Sequence, residues 1–169
     1  MGDVVSIELV LDEVAEAQVR AEWVALAEAG LSSLAAHTAP SNAPHLTVAV
    51  RETLGGFDLG DEVRAMLPLP VTLGAPMLFG AGERRVLVRS VVVGMPLLRL
   101  HAALHERLGP GEDAPFTAQG EWTPHVTLAR RLKLGDLPRA LPLVGGLLAA
   151  QVVGVRRWDA AEKLITLLE

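Results

Sequence analysis

Two short runs of this 169-residue chain carry the same chemically capable residues in the same order. Pro44-His45-Leu46-Thr47-Val48-Ala49-Val50 recurs later as Pro124-His125-Val126-Thr127-Leu128-Ala129-Arg130, with Pro, His, Thr and Ala in register. A single His-x-Thr tripeptide is a weak pattern. Its duplication inside a repeated heptapeptide is a far stronger one. Hydrolysis or transesterification at phosphorus needs one proton removed from the nucleophile and another delivered to the leaving oxygen. Two imidazoles that titrate near neutrality can do both without a metal, one neutral and one protonated. Each threonine hydroxyl can donate to a non-bridging phosphate oxygen. His45, Thr47, His125 and Thr127 are therefore the catalytic candidates.

The elements that hold these residues follow from periodicity. Side chains alternate faces along a strand, so His45, Thr47 and Ala49 point one way and Leu46, Val48 and Val50 the other. His125, Thr127 and Ala129 are separated from Val126 and Leu128 in the same way. Simple alternation puts Arg130 opposite His125, and a bulge at the strand end would be needed to bring it round to a substrate. Val4–Leu11 is predicted as a strand, with Asp12 as the N-cap of a helix over Glu13–Ala29 that Gly30 stops. His45–Arg51, Val71–Phe79, Arg85–Val93 and His125–Leu132 are further predicted strands. A short helix is predicted over Phe57–Leu67. Leu97, Leu100, Leu104 and Leu108 form a helical stripe that starts near Pro96 and ends at Gly109-Pro110. A short helix at Leu137–Leu143 precedes a hairpin of Ala149–Trp158 and Lys163–Leu168. This order lacks a βαβ rhythm, which favours an α+β fold with antiparallel sheets, in one domain over residues 1–169.

Composition narrows the partners. The net charge of −5 argues against a long nucleic-acid track, although arginines cluster locally and could hold a small anion or a strand end. With no cysteine, disulfides, Cys–zinc sites and thiol catalysis are excluded, as suits a cytoplasmic protein. No apolar run is long enough to cross a membrane and no secretory signal is visible. Met-Gly-Asp-Val-Val-Ser matches a loose myristoylation pattern, but no polybasic second signal follows, so no membrane partner is expected. His101 and His105 have a spacing that can bind zinc, yet they lie along the leucine stripe without an adjacent Glu, and no metal or other cofactor is expected. Arg89 interrupts an apolar strand. A charge there faces solvent or has a partner, and its functional reading is a phosphate contact. Trp122, in a polar loop just before Pro124-His125, is the candidate for stacking on a base.

At the paired motifs the sequence resembles the 2H phosphoesterase superfamily, and within it the branch of 2′-5′ RNA ligases and RNA 2′,3′-cyclic phosphodiesterases. The resemblance runs from Ser6-Ile7-Glu8-Leu9 through the first motif, Leu78-Phe79-Gly80, Arg85-Val86-Leu87-Val88 and the second motif to the C-terminal strands. It departs where that branch often continues the first motif with Phe-Leu-Gly, since Val50-Arg51-Glu52 stand here. It implies two pseudo-twofold lobes of antiparallel sheet around a central cleft, with helices outside. His45 and His125 would face each other there, with Thr47 and Thr127 on the phosphate. Arg130 stands where that branch tends to have an arginine, and it joins Arg89 and Trp122 as the substrate-binding candidates. The implied activity is opening of a 2′,3′-cyclic phosphate to a 2′-phosphate. With the paired imidazoles it is expected to need no metal, and a monomer is expected to act on an RNA end or small nucleotide. By position His45 is the expected acid and His125 the expected base. The alternatives are 2′-5′ RNA ligation and a non-catalytic nucleotide-binding module on the same scaffold.

Overall fold

A computed structural model describes residues 4–39 and 41–169. The Met1–Asp3 part of the myristoylation-like hexapeptide lies outside them. The strands are β1 (Val5–Leu11), β2 (His45–Arg51), β3 (Leu69–Phe79), β4 (Arg84–Val91), β5 (His125–Lys133), β6 (Leu148–Asp159) and β7 (Leu164–Leu168). The helices among the described residues are α1 (Glu13–Glu28), α2 (Gly60–Ala65), α3 (Met95–Leu108) and α4 (Leu137–Ala140), with short 3₁₀ turns between elements.

Local chemistry sets the boundaries. The Asp12 carboxylate accepts from the backbone N–H groups of Val14 and Ala15 and so caps α1. Ala15, Val19, Trp23 and Leu26 then repeat at helical spacing and are buried. Gly94 and Pro96 open α3, and Gly109 ends it with φ 68°, a conformation that favours glycine. Its Leu97, Leu100 and Leu104 stripe is buried, as the periodicity predicts. The helix predicted over Phe57–Leu67 shrinks to Gly60–Ala65, and the one predicted at Leu137–Leu143 splits into α4 and a 3₁₀ turn.

All strand pairs are antiparallel, in the order β2-β1-β6-β3-β4-β5, with β7 also on β6. The long strand β6 joins two lobes. Residues 152–159 pair with β1 on one edge, while the other edge takes β3 at residues 148–152 and β7 at residues 155–159. The first lobe is thus β2, β1, β7 and the end of β6, and the second is the start of β6 with β3, β4 and β5. Helix α1 packs on β5 and β6, and α3 on β2 and β3, closing one apolar core on that side of the sheet. The strands with the repeated motif, β2 and β5, are the two ends of this path. They approach each other without pairing, so the sheet curls around a cleft and stays open.

Candidate active site

Both motif strands carry the same irregularity. Opposite β2, Thr47 meets Glu8 and Ala49 meets Ile7. Opposite β5, Thr127 meets Val88 and Ala129 meets Leu87. Each motif strand therefore inserts one extra residue after its threonine, a β-bulge at the same place twice. Burial follows the same order in both: half-buried His, buried aliphatic, half-buried Thr, then two buried residues, Val48-Ala49 and Leu128-Ala129. The expectation that Ala49 and Ala129 share the histidine face is corrected: the bulge turns them to the core. It also turns the next residue outward, so Val50 and Arg130 both line the cavity that His45 and Thr47 line. Arg130 thus reaches the cleft by the distortion that strict alternation lacked.

The imidazoles are oriented alike. His45 Nδ1 lies 2.7 Å from the carbonyl oxygen of Ala43, and His125 Nδ1 lies 2.7 Å from that of Thr123. A carbonyl can only accept, so each Nδ1 carries the proton and each Nε2 is left for chemistry. Arg156 Nη2 also stands 3.2 Å from His45 Nδ1, but both are donors there and the shorter contact to Ala43 decides the tautomer. The threonine carbonyls are matched too. Trp122 Nε1 donates to Thr47 O at 2.8 Å, and Trp23 Nε1 on α1 donates to Thr127 O at 3.0 Å. One indole thus holds each bulge from outside the sheet.

The surroundings of the two rings differ. Beside His45, the Glu8 carboxylate is 4% exposed and lies 3.5 Å from Nε2. Ser6 Oγ donates to it at 2.7 Å and Arg156 Nε at 2.8 Å. The first ring thus has a buried, hydrogen-bonded carboxylate at its Nε2 edge. The equivalent place opposite Thr127 is Val88, and Phe79 packs on His125 at 4.6 Å with Phe116 behind it at 5.3 Å. Burial pushes His125 below the ordinary imidazole range against the Thr123 carbonyl, and a charge on nearby His45 pushes it further down.

Two expected substrate contacts lie elsewhere. Arg89 is 2% exposed, and its guanidinium is consumed by Glu22 on α1 and by the carbonyls of Gly74 and Gly146. It ties β4 to α1 and to the loop before β6, and offers the cleft nothing. Its predicted phosphate contact is thereby corrected. Trp122 stacks on His101, with centroids 4.0 Å apart and planes at 16°, and packs on the core instead of presenting a ring to a base. His101 bonds Thr117 O and His105 bonds Val48 O, pinning the 111–123 loop and β2 to α3. Burial and the neighbouring His105 lower His101 to about 4, which keeps it neutral and structural. Among the described residues no three His, Cys, Asp or Glu side chains group as metal ligands. Glu8, Arg156 and Trp158 line the cavity with His45 and Thr47, and none of them is among the site residues predicted from sequence. The available signal is a charge within an apolar strand for Glu8, and for Arg156 and Trp158 an alternation that meets the histidine face.

The sequence model of the 2′-5′ RNA ligase superfamily matches residues 57–159, most of the chain and including the second motif. The chain belongs to this superfamily. Its 2H fold is shared with two solved structures of Usb1 from Kluyveromyces marxianus. One, with uridine monophosphate, matches at TM-score 0.52 and 13% identity over 98% of this chain and 97% of that one. The other matches at 0.50 and 11% identity over 99% and 98%. No curated protein sequence matches the chain. Within this 2H scaffold, no helix of the described residues is long and apolar enough to cross a membrane.

Proposed function

We propose that this chain opens a 2′,3′-cyclic phosphate, on an RNA end or small nucleotide, to a 2′-phosphate by acid–base catalysis without a metal. The observation that carries the reading is the matched pair of imidazoles on the two end strands that approach each other, each with Nδ1 held by a backbone carbonyl and Nε2 left for proton transfer. Water attacks phosphorus as His125 Nε2 takes its proton. The bond from phosphorus to the 3′-oxygen breaks, and His45 Nε2 delivers a proton to that oxygen. Thr47 and Thr127 donate to the non-bridging oxygens, and Arg130 offsets the charge that grows on them. The Glu8 carboxylate lies 3.5 Å from His45 Nε2, while burial supports a neutral His125. Because the site takes one motif from each lobe, we assign the activity to residues 1–169 as one unit. A nucleotide ligand is in keeping with the fold relative Usb1 from Kluyveromyces marxianus, whose structure was solved with uridine monophosphate.

The test is a panel of 2′,3′-cyclic nucleotides and cyclic-phosphate-ended oligonucleotides assayed in excess EDTA. Hydrolysis should persist in chelator, and the product should carry its phosphate on the 2′-oxygen. Activity that vanishes in EDTA and returns with a divalent ion would overturn the reading.

A further inference from the structure

The cleft is lopsided in shape as well as in charge. A cavity of about 450 Å³ opens beside His45, and its walls include Asn42, Thr47, Arg130, Arg156 and Trp158. Apart from Arg130 on β5, it is built on the first lobe and the segment that precedes β2, and His125 is not part of its wall. Its size suits one nucleoside better than a strand.

Trp158 stands out within it. Register places Trp158 opposite Ser6 and Arg156 opposite Glu8, as Phe79 lies opposite Val86 and Met77 opposite Val88. Trp158 therefore holds in the first lobe the place that Phe79 holds in the second. Phe79 is already packed, against His125 and Phe116. The chain has three tryptophans, and Trp23 and Trp122 both spend their indole N–H on a motif threonine. Trp158 is half-buried, and among the described residues it has neither an aromatic partner nor a side-chain hydrogen bond.

We propose that this cavity receives the nucleoside of the reacting nucleotide, with its base stacked on Trp158 and its phosphate reaching His45, Thr47 and Arg130. The proposal rests on the acid–base reading above. In opening a 2′,3′-cyclic phosphate the leaving 3′-oxygen belongs to the same ribose as the base. The acid and the nucleoside must then lie on one side of the phosphorus, and the attacking water on the other. The acid is His45, and the cavity is on its side. Stacking on an aromatic face tolerates any base. The enzyme therefore grips a single terminal or free nucleotide and does not read sequence.

The test compares a 2′,3′-cyclic nucleotide with ribose 2′,3′-cyclic phosphate, which lacks the base, on the wild-type chain, Trp158→Phe and Trp158→Ala. The wild type should prefer the nucleotide, chiefly through KM. Trp158→Ala should raise KM for the nucleotide about tenfold, as loss of one base stack does, so that the two substrates converge. Trp158→Phe, which keeps a ring and the packing, should retain most of the preference. An unchanged preference in Trp158→Ala, or an equal loss on both substrates, would overturn the pocket assignment. His45→Ala and His125→Ala are assayed alongside. If they stay fully active, the acid–base reading fails. If they are inactive while Trp158→Ala keeps the preference, the pocket assignment alone fails.

Discussion

The two motif strands are the same device set in two environments. In β2 and β5 the proline, the histidine tautomer, the bulge after threonine and the indole on the threonine carbonyl all match. The side chains facing the two rings do not. The first lobe puts Glu8 and Arg156 beside His45, whereas the second puts Val88 and Phe79 beside His125. A doubled backbone can present two imidazoles to one phosphate, but alone it cannot tell them apart. In the proposed mechanism acid and base must differ when substrate arrives, and the neighbours of the two rings are where the lobes differ.

The comparison breaks hardest at the histidines. His45→Ala and His125→Ala should each lower the turnover rate by about 10²–10⁴. The double variant should lose less than the product of the single losses, because the two act as one unit. Steady-state rates on a cyclic nucleotide check this, and near wild-type rates in either single variant would refute it. The next effect is on stability, and it should be one-sided. Arg156→Met leaves the buried Glu8 carboxylate without its guanidinium and should destabilise the fold by about 3 kcal/mol. The double variant Glu8→Gln with Arg156→Met should recover part of that loss in urea unfolding. Met77 holds the equivalent place in the second lobe, where no carboxylate waits. Met77→Leu should therefore shift the midpoint little.

Thr47→Ala and Thr127→Ala should each cost about tenfold in kcat/KM, the size of one desolvated neutral hydrogen bond. Similar losses in both would show that the lobes share the phosphate evenly. A loss confined to one would show that only that lobe holds it. Trp23→Phe and Trp122→Phe should have the smallest effect, about 1 kcal/mol of stability each, since each removes one hydrogen bond and keeps an aromatic ring. Thermal unfolding of the two variants should give nearly equal shifts.

The doubled device was legible because it is local. Pro, His and Thr repeat within seven residues, and the Asp12 cap, the α3 stripe and the C-terminal hairpin also depend on neighbours in the chain. The asymmetry was hidden because it is made of distant partners. Glu8 meets Arg156, and Arg89 meets Glu22, only once the strands and α1 have packed. A lone arginine in an apolar strand announces a partner without naming it, so Arg89 could be taken for a phosphate contact. The bulges escaped for another reason. They insert a residue without changing the apolar pattern, and this decided where Ala49 and Arg130 point.

The division of labour between the rings is tested most directly by kcat/KM against pH, measured for the wild type and both single alanine variants. Each is assayed on a cyclic nucleotide and on a 4-nitrophenyl phosphodiester, whose leaving group departs without a proton. His125 must be neutral to act as base, and burial lowers its pKa, so the wild-type rate should rise with pH through a limb below pH 6.5. That limb should vanish in His125→Ala and remain in His45→Ala. The nitrophenyl substrate should restore activity to His45→Ala, which has lost the acid, and not to His125→Ala, which has lost the base. Rescue of His125→Ala instead, or of both variants alike, would contradict the account.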